Sequence, residues 1–553
     1  MSKKEKKGDG LNYKRTFLIG FGFLGCMLLW SVYNSYVPVI LRSKLTEIFA
    51  GDGAFASFIN DHSWLAWVTV PLLVNAVMTI DNIFGVIFQP YFGKLSDRTH
   101  SKMGKRMPFI MICMPICAVF FTLIPVAATV KAAGLSILLM MSIIICFNFT
   151  MSVWRSPVVS LMPDFTPSHL QSDANAVINI MGGIGQMIGF VVGTIAAAIV
   201  GLLGFTEMKE ALTAKTNTLG QLLELDANGK PVINWLVEDT SKYADKIENF
   251  IESGRDTLMD GETIVAEKVA RLDASGNPIT VNYTPIFLVT AIIAVLCIIG
   301  LIVFYKRNKQ YDLSANVAIE EKADSGKKQK IKIRDLPITK DERKSLITML
   351  IALFLINNAT EAIVPNFTNF ALDTLNVKPI YSTLMMAVFA VSLAAFGIPA
   401  GKMGQKLGRK KTIMIGLTGI VIMFAIYLTA SQVATSKTFI WVMLWIALII
   451  GGAAIGCVNI NTLPLVLAIG GREYVGTFTG YYYTATQAAA VTGPLLCGLV
   501  IGLFNEDYNY MFLFCAVMFA IGLAVISQVK HGELSKDEDS TWLDEAVKDA
   551  QDD

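Results

Sequence analysis

Three charged residues stand where charge is costly. Asp81 lies in MTIDNIF, Glu361 in LINNATEAIVPNF and Arg155 in VWRSPVV, each within a long apolar run. An ionisable side chain at the centre of a bilayer costs about 2.5–3.5 kcal/mol on insertion scales. Such a residue therefore faces a bundle interior or a water-filled path and marks a route for ions or substrate. Asp81 sits roughly three helical turns before the next polar loop and is a proton-coupling candidate, with a hydrogen bond to a neighbouring helix as its structural alternative. Glu361 follows Asn357 and Asn358 at i+4 and i+3, so the three share one helical face. Pro365 lies four residues further on and loosens the backbone there. Interrupted helices at mid-membrane line binding sites, so Glu361 is a candidate for a substrate hydroxyl or for the proton, again with a structural alternative. Arg155 keeps its charge. It pairs with Asp81 or Glu361 across a cavity, snorkels to the surface, or serves a gate.

Aromatic and amide side chains recur beside these charges. A sugar presents apolar ring faces and a belt of hydroxyls, which call for an aromatic plate with amides or carboxylates around it. Trp30 and Asn34 stand at i,i+4 with Tyr33 beside them, and Tyr483 and Gln487 repeat that spacing. Asn175, Asn179 and Gln186 lie on adjoining turns, Asn148 lies in the run before Arg155, and Asn459 and Asn461 lie in a later run. Taken singly, each is as well explained as an interfacial anchor or an interhelical tie. Their convergence on several spans is what points to a binding site.

The elements that must position these residues follow from composition. The 553-residue chain is 54% hydrophobic and only 16% charged, against about 25% charged in soluble domains. Its many apolar runs of near-spanning length specify helices rather than alternating barrel strands. Twelve spans are expected, at 15–40, 66–92, 108–130, 134–162, 174–203 and 284–305, then 344–372, 380–402, 411–430, 438–467, 474–503 and 509–529. The basic N-terminus lacks a cleavage pattern and reads as leading into a retained first helix. All eight Cys lie in apolar runs, so no disulfide framework is implied. His62, His100, His169 and His531 share no ligand spacing, so neither metal nor cofactor is expected. No nucleophile–base pair suggests an enzyme, and nothing suggests nucleic acid.

Lys and Arg concentrate in the N-terminal tail, the loop GKLSDRTHSKMGKR (93–106), the linker that holds KKQKIKIR, and GKMGQKLGRKK (401–411). With twelve spans these segments share one side, the cytoplasmic one, together with both termini, in a multi-pass plasma-membrane protein. The linker divides the helices six and six. Gly93-Lys94 matches Gly401-Lys402, and Gly104-Lys105-Arg106 matches Gly408-Arg409-Lys410, so the halves read as parallel repeats, a transporter architecture. The units are 1–203 (helices 1–5), an extracytoplasmic insertion at 204–283, helix 6 at 284–305, a cytoplasmic linker at 306–343, the C-terminal half at 344–529 and a tail at 530–553. Within the insertion, LDANGKPV (225–232) and LDASGNPI (272–279) each read as a hairpin turn between short strands, and the segment between them alternates like a helix. A small folded cap and a loop with residual structure are both open.

The string Gln89-Pro90-x-x-Gly93-x-x-Ser96-Asp97-Arg98, followed by Gly104-Lys105-Arg106-x-Pro108-Phe109, resembles the loop between spans 2 and 3 of the major facilitator superfamily. The spacer Thr99-His100-Ser101-Lys102-Met103 and the flanking Gln-Pro and Pro-Phe are similar to its sucrose-transporter branch, related to the glycoside–pentoside–hexuronide:cation symporters. WRSPVVSLMPD (154–164) looks like that branch's span 4. The resemblance implies two six-helix halves working by alternating access on a sugar or glycoside, with Asp97 and Arg98 latching the halves at the cytoplasmic face. Gly93, Gly104, Arg106 and Arg155 are assigned to the same gate.

Two positions depart from the relatives. The proton-site Asp of plant sucrose carriers falls at Asn148, and the two sodium-binding Asp of melibiose-type members fall at Gly85 and Gln89. The missing pair favours proton over sodium. The expectation is a monomeric sugar:proton symporter. A sodium-coupled or uncoupled carrier of another amphipathic solute, and a non-transporting sensor using the insertion, are the alternatives.

Overall fold

The computed structural model describes residues 12–50, 62, 67–99, 101, 103–130, 132–166, 171–202, 221–225, 231–237, 257–260, 263–269, 283–311, 338–375, 379–433, 437–470 and 475–532. Helix lies at each of the twelve expected spans. The first half comprises α1 (Tyr13–Ala50), α2 (Val70–Met78), α3 (Ile80–Arg98), α4 (Met107–Ala128), α5 (Ala133–Phe165), α6 (Gln171–Leu202) and α7 (Thr284–Asn308). The second comprises α8 (Lys340–Asp373), α9 (Pro379–Leu407), α10 (Arg409–Val433), α11 (Lys437–Gly470), α12 (Val475–Leu503) and α13 (Tyr510–Ser527). With α2 and α3 taken as one span, ten of these are long and apolar enough to cross a membrane. An eleventh is α9, bent by 45° at Pro399, where the ring removes a backbone donor. In α6 the apolar stretch runs over Ile180–Gly193. Large apolar side chains such as Ile112, Leu138, Leu296 and Ile422 stand exposed, as a hydrocarbon surrounding requires. The chain is thus a helical, multi-pass membrane protein.

Local sequence explains the helix ends that matter. α8 starts with a capping box: the Glu342 backbone N–H donates to Thr339 Oγ1 at 3.2 Å, and Thr339 N–H donates back to Glu342 Oε2 at 2.8 Å. α1 is 38 residues long, about 57 Å at helical rise, so it overshoots a hydrocarbon core and carries Arg42 to its far end. The second span runs as one membrane-length helix over Val70–Arg98, with a single turn residue in it. Thr79 separates α2 from α3, and its Oγ1 donates to the Asn75 carbonyl at 2.9 Å. Asp81 follows two residues after this turn, and its Oδ1 accepts from the Asn82 N–H at 2.7 Å.

Each half has its own apolar core. Residues such as Leu29, Met114, Phe121 and Ile298 build the first, and Leu353, Phe370, Val458 and Phe519 build the second. Phe190 of α6 packs into the second core. The halves meet where α1 faces α8, α2 faces α12 and α6 faces α9. The repeat read from sequence has a backbone counterpart: Gly104 and Gly408 both adopt left-handed φ, +91° and +95°.

Within 204–283 the described residues form four antiparallel strands, β1 (Gln221–Leu225), β2 (Pro231–Val237), β3 (Thr257–Asp260) and β4 (Thr263–Val269), in the order β1-β2-β4-β3. The string at 225–232 does join two strands. A second hairpin turns at 260–263, within Asp-Gly-Glu-Thr, and 272–279 lies outside the described residues, as do 312–337 of the linker and 533–553 of the tail.

Candidate functional site: a charged centre and a sealed far end

The centre is built on an aromatic cluster. Tyr33 of α1 stacks on Phe147 of α5 with ring centroids 5.1 Å apart and 26° between planes. Trp30 stands edge-on to both, at 5.5 Å from Tyr33 and 6.1 Å from Phe147. Asn148 Nδ2 donates to Tyr33 Oη at 3.1 Å. The Arg155 guanidinium lies over the Trp30 ring at 5.8 Å, half-way along α1 rather than beside the loop bases. Asp81 is within electrostatic reach of Glu361, Arg155 and Tyr33. Two carboxylates from opposite halves and one guanidinium are therefore close enough to feel one another's charge, with the guanidinium over an aromatic plate.

Exposure sorts these residues. Tyr33 and Asn148 are buried, so they form a wall, whereas Trp30, Asn34 and Asp81 are half-buried and Glu361 is exposed. Two buried polar atoms of the cluster are unpaired, Trp30 Nε1 and Asn148 Oδ1. Buried polar groups are seldom left so, and these offer a donor and an acceptor to a hydroxylated ligand.

Other amides named from sequence hold helices together. Asn357 Nδ2 donates to the Leu353 carbonyl at 2.8 Å. Asn358 Nδ2 donates to Phe354 O at 2.8 Å, and its Oδ1 accepts from Thr492 Oγ1 at 3.0 Å, tying α8 to α12. Asn461 donates to Ala400 O at 3.2 Å, tying α11 to α9. Tyr483 and Gln487 are exposed on α12, with the Tyr483 ring 5.4 Å from Tyr482. The side chains of Asn175 and Asn179 lie outside the described residues.

At the basic end, Arg106 is a hub. Its Nη1 bonds Asp97 at 2.5 Å and Ser96 Oγ at 2.6 Å, and its Nε bonds Asp164 at 2.9 Å. Burial works against its charge, but Asp164 and Asp97 more than offset that and push the guanidinium above its ordinary range. Ser96 Oγ donates to Gly93 O at 2.8 Å, and a Cβ on Gly93 would stand 2.8 Å from Ser156 Oγ, so α3 and α5 touch there. Asp97 thus bonds Arg106 within its own half, and its sequence neighbour Arg98 stands exposed. Asp164, quoted above only as part of a motif, is the hub's buried anchor.

The opposite end was not foreseen. Asn75 and Asn366 exchange hydrogen bonds at 2.9 and 3.0 Å across the two halves. Thr79 Oγ1 and Asn82 Nδ2 donate to the Val491 and Ala490 carbonyls at 3.4 and 3.1 Å. Arg42 bonds Asp373 at 2.6 Å and lies over the Tyr508 ring at 4.8 Å. Gly498 and Gly502 admit this approach: a Cβ on Gly498 would stand 2.8 Å from Pro71 O. The G-x-x-x-G spacing 498–502 and the span-internal Asn75 were the available signals. These contacts join the halves beyond Asp81, on the side away from the basic loop.

Residues 18–224 match the family model described as MFS/sugar transport protein, and 349–542 match that of the Major Facilitator Superfamily. The chain is 26% identical over 202 residues to the general alpha-glucoside permease of Schizosaccharomyces pombe, a match covering 34% of this chain and 31% of that protein. The chain thus spans about a third of the length of the curated relative it matches. Its fold is that of a bacterial homologue of the human lysosomal transporter Spinster in an inward-facing, occupied conformation (TM-score 0.55, 11% identity, 94% and 96% of the two chains covered). It is also that of a D-xylose–proton symporter (TM-score 0.52, 12% identity, 94% and 98% covered). With helix at every expected span, two cores and matching models in both halves, the chain belongs to the major facilitator superfamily, on its sugar-transport side.

Proposed function

We propose that the chain carries a sugar or glycoside, of the α-glucoside class, across the membrane by alternating access, coupled to proton movement through Asp81 with Glu361 opposite. The observation that supports this reading is that Asp81 and Glu361, one from each half, lie within electrostatic reach of each other, with Arg155 over the Trp30 ring. A site shared by the halves changes its exposure when they rock against each other. The unpaired Trp30 Nε1 and Asn148 Oδ1 supply donor and acceptor for sugar hydroxyls, and the Trp30 ring supplies the apolar plate. The α-glucoside class is suggested by the fission-yeast permease. Proton is preferred to sodium because Gly85 and Gln89 face each other where paired carboxylates would bind a cation, a Cβ on Gly85 lying 3.2 Å from Gln89 Nε2. In this reading the basic loops and both termini are cytoplasmic, the protein is a plasma-membrane monomer without enzymatic activity, and the sealed end is extracytoplasmic.

Uptake into proteoliposomes of labelled maltose, sucrose, glucose and xylose, under an imposed pH or sodium gradient, tests the reading. Accumulation of an α-glucoside driven by an inward proton gradient is expected. Absence of uptake of every sugar under both gradients overturns it.

A further inference from the structure

We propose that Glu506 is the clasp of the far-end gate: from a strained turn in the C-terminal half it caps the first turn of α2 in the N-terminal half, beside Arg42 and Asp373. The inference rests on the alternating-access reading, because it gives that end of the protein a gate to close.

The turn after α12 is built to aim a carboxylate. Phe504 N–H closes the helix on Val500 O at 3.2 Å, and Glu506 N–H reaches back to Ile501 O at 3.0 Å. Such a helix end asks for one left-handed residue, and Asn505, with φ 58°, supplies it. Glu506 is left-handed as well, with φ 60°, a conformation costly for a side chain of its kind. The helix end does not need that second residue. Asp507 is no substitute, since its Oδ1 is engaged in its own turn by Asn509 N and Nδ2 at 2.8 and 2.9 Å.

The receiving end is incomplete without it. Thr69 occupies the N-cap of α2 in an extended conformation, yet its side chain makes no cap bond and its buried Oγ1 is unpaired. Pro71 in the first turn has no N–H to offer. A Cβ on Gly502 would collide with Thr69 Oγ1, so the last turn of α12 lies against this N-cap, and Glu506 leaves that turn within electrostatic reach of the Val70 N–H. A carboxyl from one half thus meets the positive end of a helix in the other.

The charged groups facing Glu506 come from three elements: Arg42 of α1, Asp373 at the end of α8, and Tyr508 of its own turn, whose ring lies under Arg42. Burial raises the proton affinity of the Glu506 carboxyl, with Asp373 adding to it, while Arg42 and the Val70 N–H oppose; the balance lies above the ordinary glutamate range. With the gate open, water reaches the group and its affinity is ordinary. The closed gate therefore binds the proton more tightly, so acid favours closure. That contribution is full below the ordinary glutamate range and is lost as pH rises through the elevated one. A protonated carboxyl still accepts from Val70 through its carbonyl oxygen, so the cap survives protonation.

The test is a distance measurement that needs no sugar. Spin labels at Thr129→Cys and Thr429→Cys, exposed near the far ends of α4 and α10, report the opening of that end. They are placed in the full chain with its native cysteines replaced, reconstituted in nanodiscs. The short-distance population should grow as pH falls from neutral toward the ordinary glutamate range. Glu506→Gln, which keeps the acceptor and removes the titration, should stay short at every pH. Glu506→Gly relieves the left-handed φ and so keeps the turn folded, but it deletes the clasp. It should shift the open-to-closed ratio by about two- to thirtyfold, the range of losing an N-cap. A role in the turn alone predicts that Gly leaves the distances unchanged, and that result, or a wild-type distribution indifferent to pH, overturns the proposal. If distances respond as expected while no sugar is taken up, the clasp stands and the substrate reading fails.

Discussion

Asn75 of α2 and Asn366 of α8 form a closed amide pair between the two halves. Each donates once to the other, at 2.9 and 3.0 Å, and once to the carbonyl four residues back in its own helix, at 2.8 and 2.9 Å. Both side chains are fully buried. Such a pair is stable only when intact, because an unmatched buried amide costs about 1–3 kcal/mol.

Asn75→Leu should therefore open the far end, and so should Asn366→Leu, because water satisfies the orphaned partner once the halves part. The double Leu variant should close it again, since apolar groups of similar shape replace both partners. The same spin-label pair reads all three. A double variant as open as either single one would show that the pair is not the seal.

Asp81→Asn should abolish gradient-driven accumulation of substrate and spare exchange of substrate across the membrane. The substitution keeps the shape and the acceptor oxygen but cannot carry a proton. Asp81 accepts from the backbone N–H of Asn82 at 2.7 Å, and an amide oxygen can accept that bond too, so the fold should hold. Accumulation of labelled sugar in proteoliposomes, compared with counterflow in the same preparation, checks it. An accumulating Asp81→Asn variant would remove Asp81 from the coupling step.

The spans were legible because a bilayer demands runs of about 20 apolar residues. Asp81, Glu361 and Arg155 were legible for the same reason in reverse, since charge is conspicuous in such runs. The two halves showed in the repeated Gly-Lys strings, and the left-handed φ shared by Gly104 and Gly408 gives that repeat a physical cause. Partnerships were not legible. Asn75 and Asn366 are 291 positions apart, and each alone reads as an ordinary interhelical tie. Asp97 and Arg98 stand side by side in the signature loop, but the partner that Asp97 takes within its own half, Arg106, lies nine positions on, past the left-handed Gly104. The hairpin at 260–263 begins where the segment 236–258, whose alternation read as helical, ends.

Gly104→Ala and Gly408→Ala should separate conformational strain from crowding. Both backbones are left-handed, which costs a residue with a Cβ about 1–2 kcal/mol. At Gly104 the new Cβ would also collide with Tyr305 Oη of α7. Thermal melting in detergent should therefore fall for both variants, and for Gly104→Ala by more than the left-handed φ alone costs. Adding Tyr305→Phe should restore part of that excess. A loss left unchanged by Tyr305→Phe would show that crowding against α7 contributes nothing.

The Arg106 hub makes a graded prediction. Its Asp97 partner is 56% exposed, whereas Asp164 is 11% exposed and Arg106 itself 9%. An exposed ion pair contributes about 0–1 kcal/mol, but removing one member of a buried pair costs about 3–5 kcal/mol because the other charge is stranded. Asp164→Asn should thus destabilise the protein severely, and Asp97→Asn should barely move its melting temperature. Arg106→Lys should resemble Asp164→Asn, because a single ammonium cannot reproduce the fork that reaches Asp97, Asp164 and Ser96 at once. The wider role of Asp97 then has to show elsewhere, in the open-to-closed balance at the basic end. Asp97→Asn should alter the rate of transport while leaving thermal stability within about 1 kcal/mol of the unmodified protein. A large loss of stability from Asp97→Asn would mean that the exposed carboxylate, and not Asp164, anchors the hub.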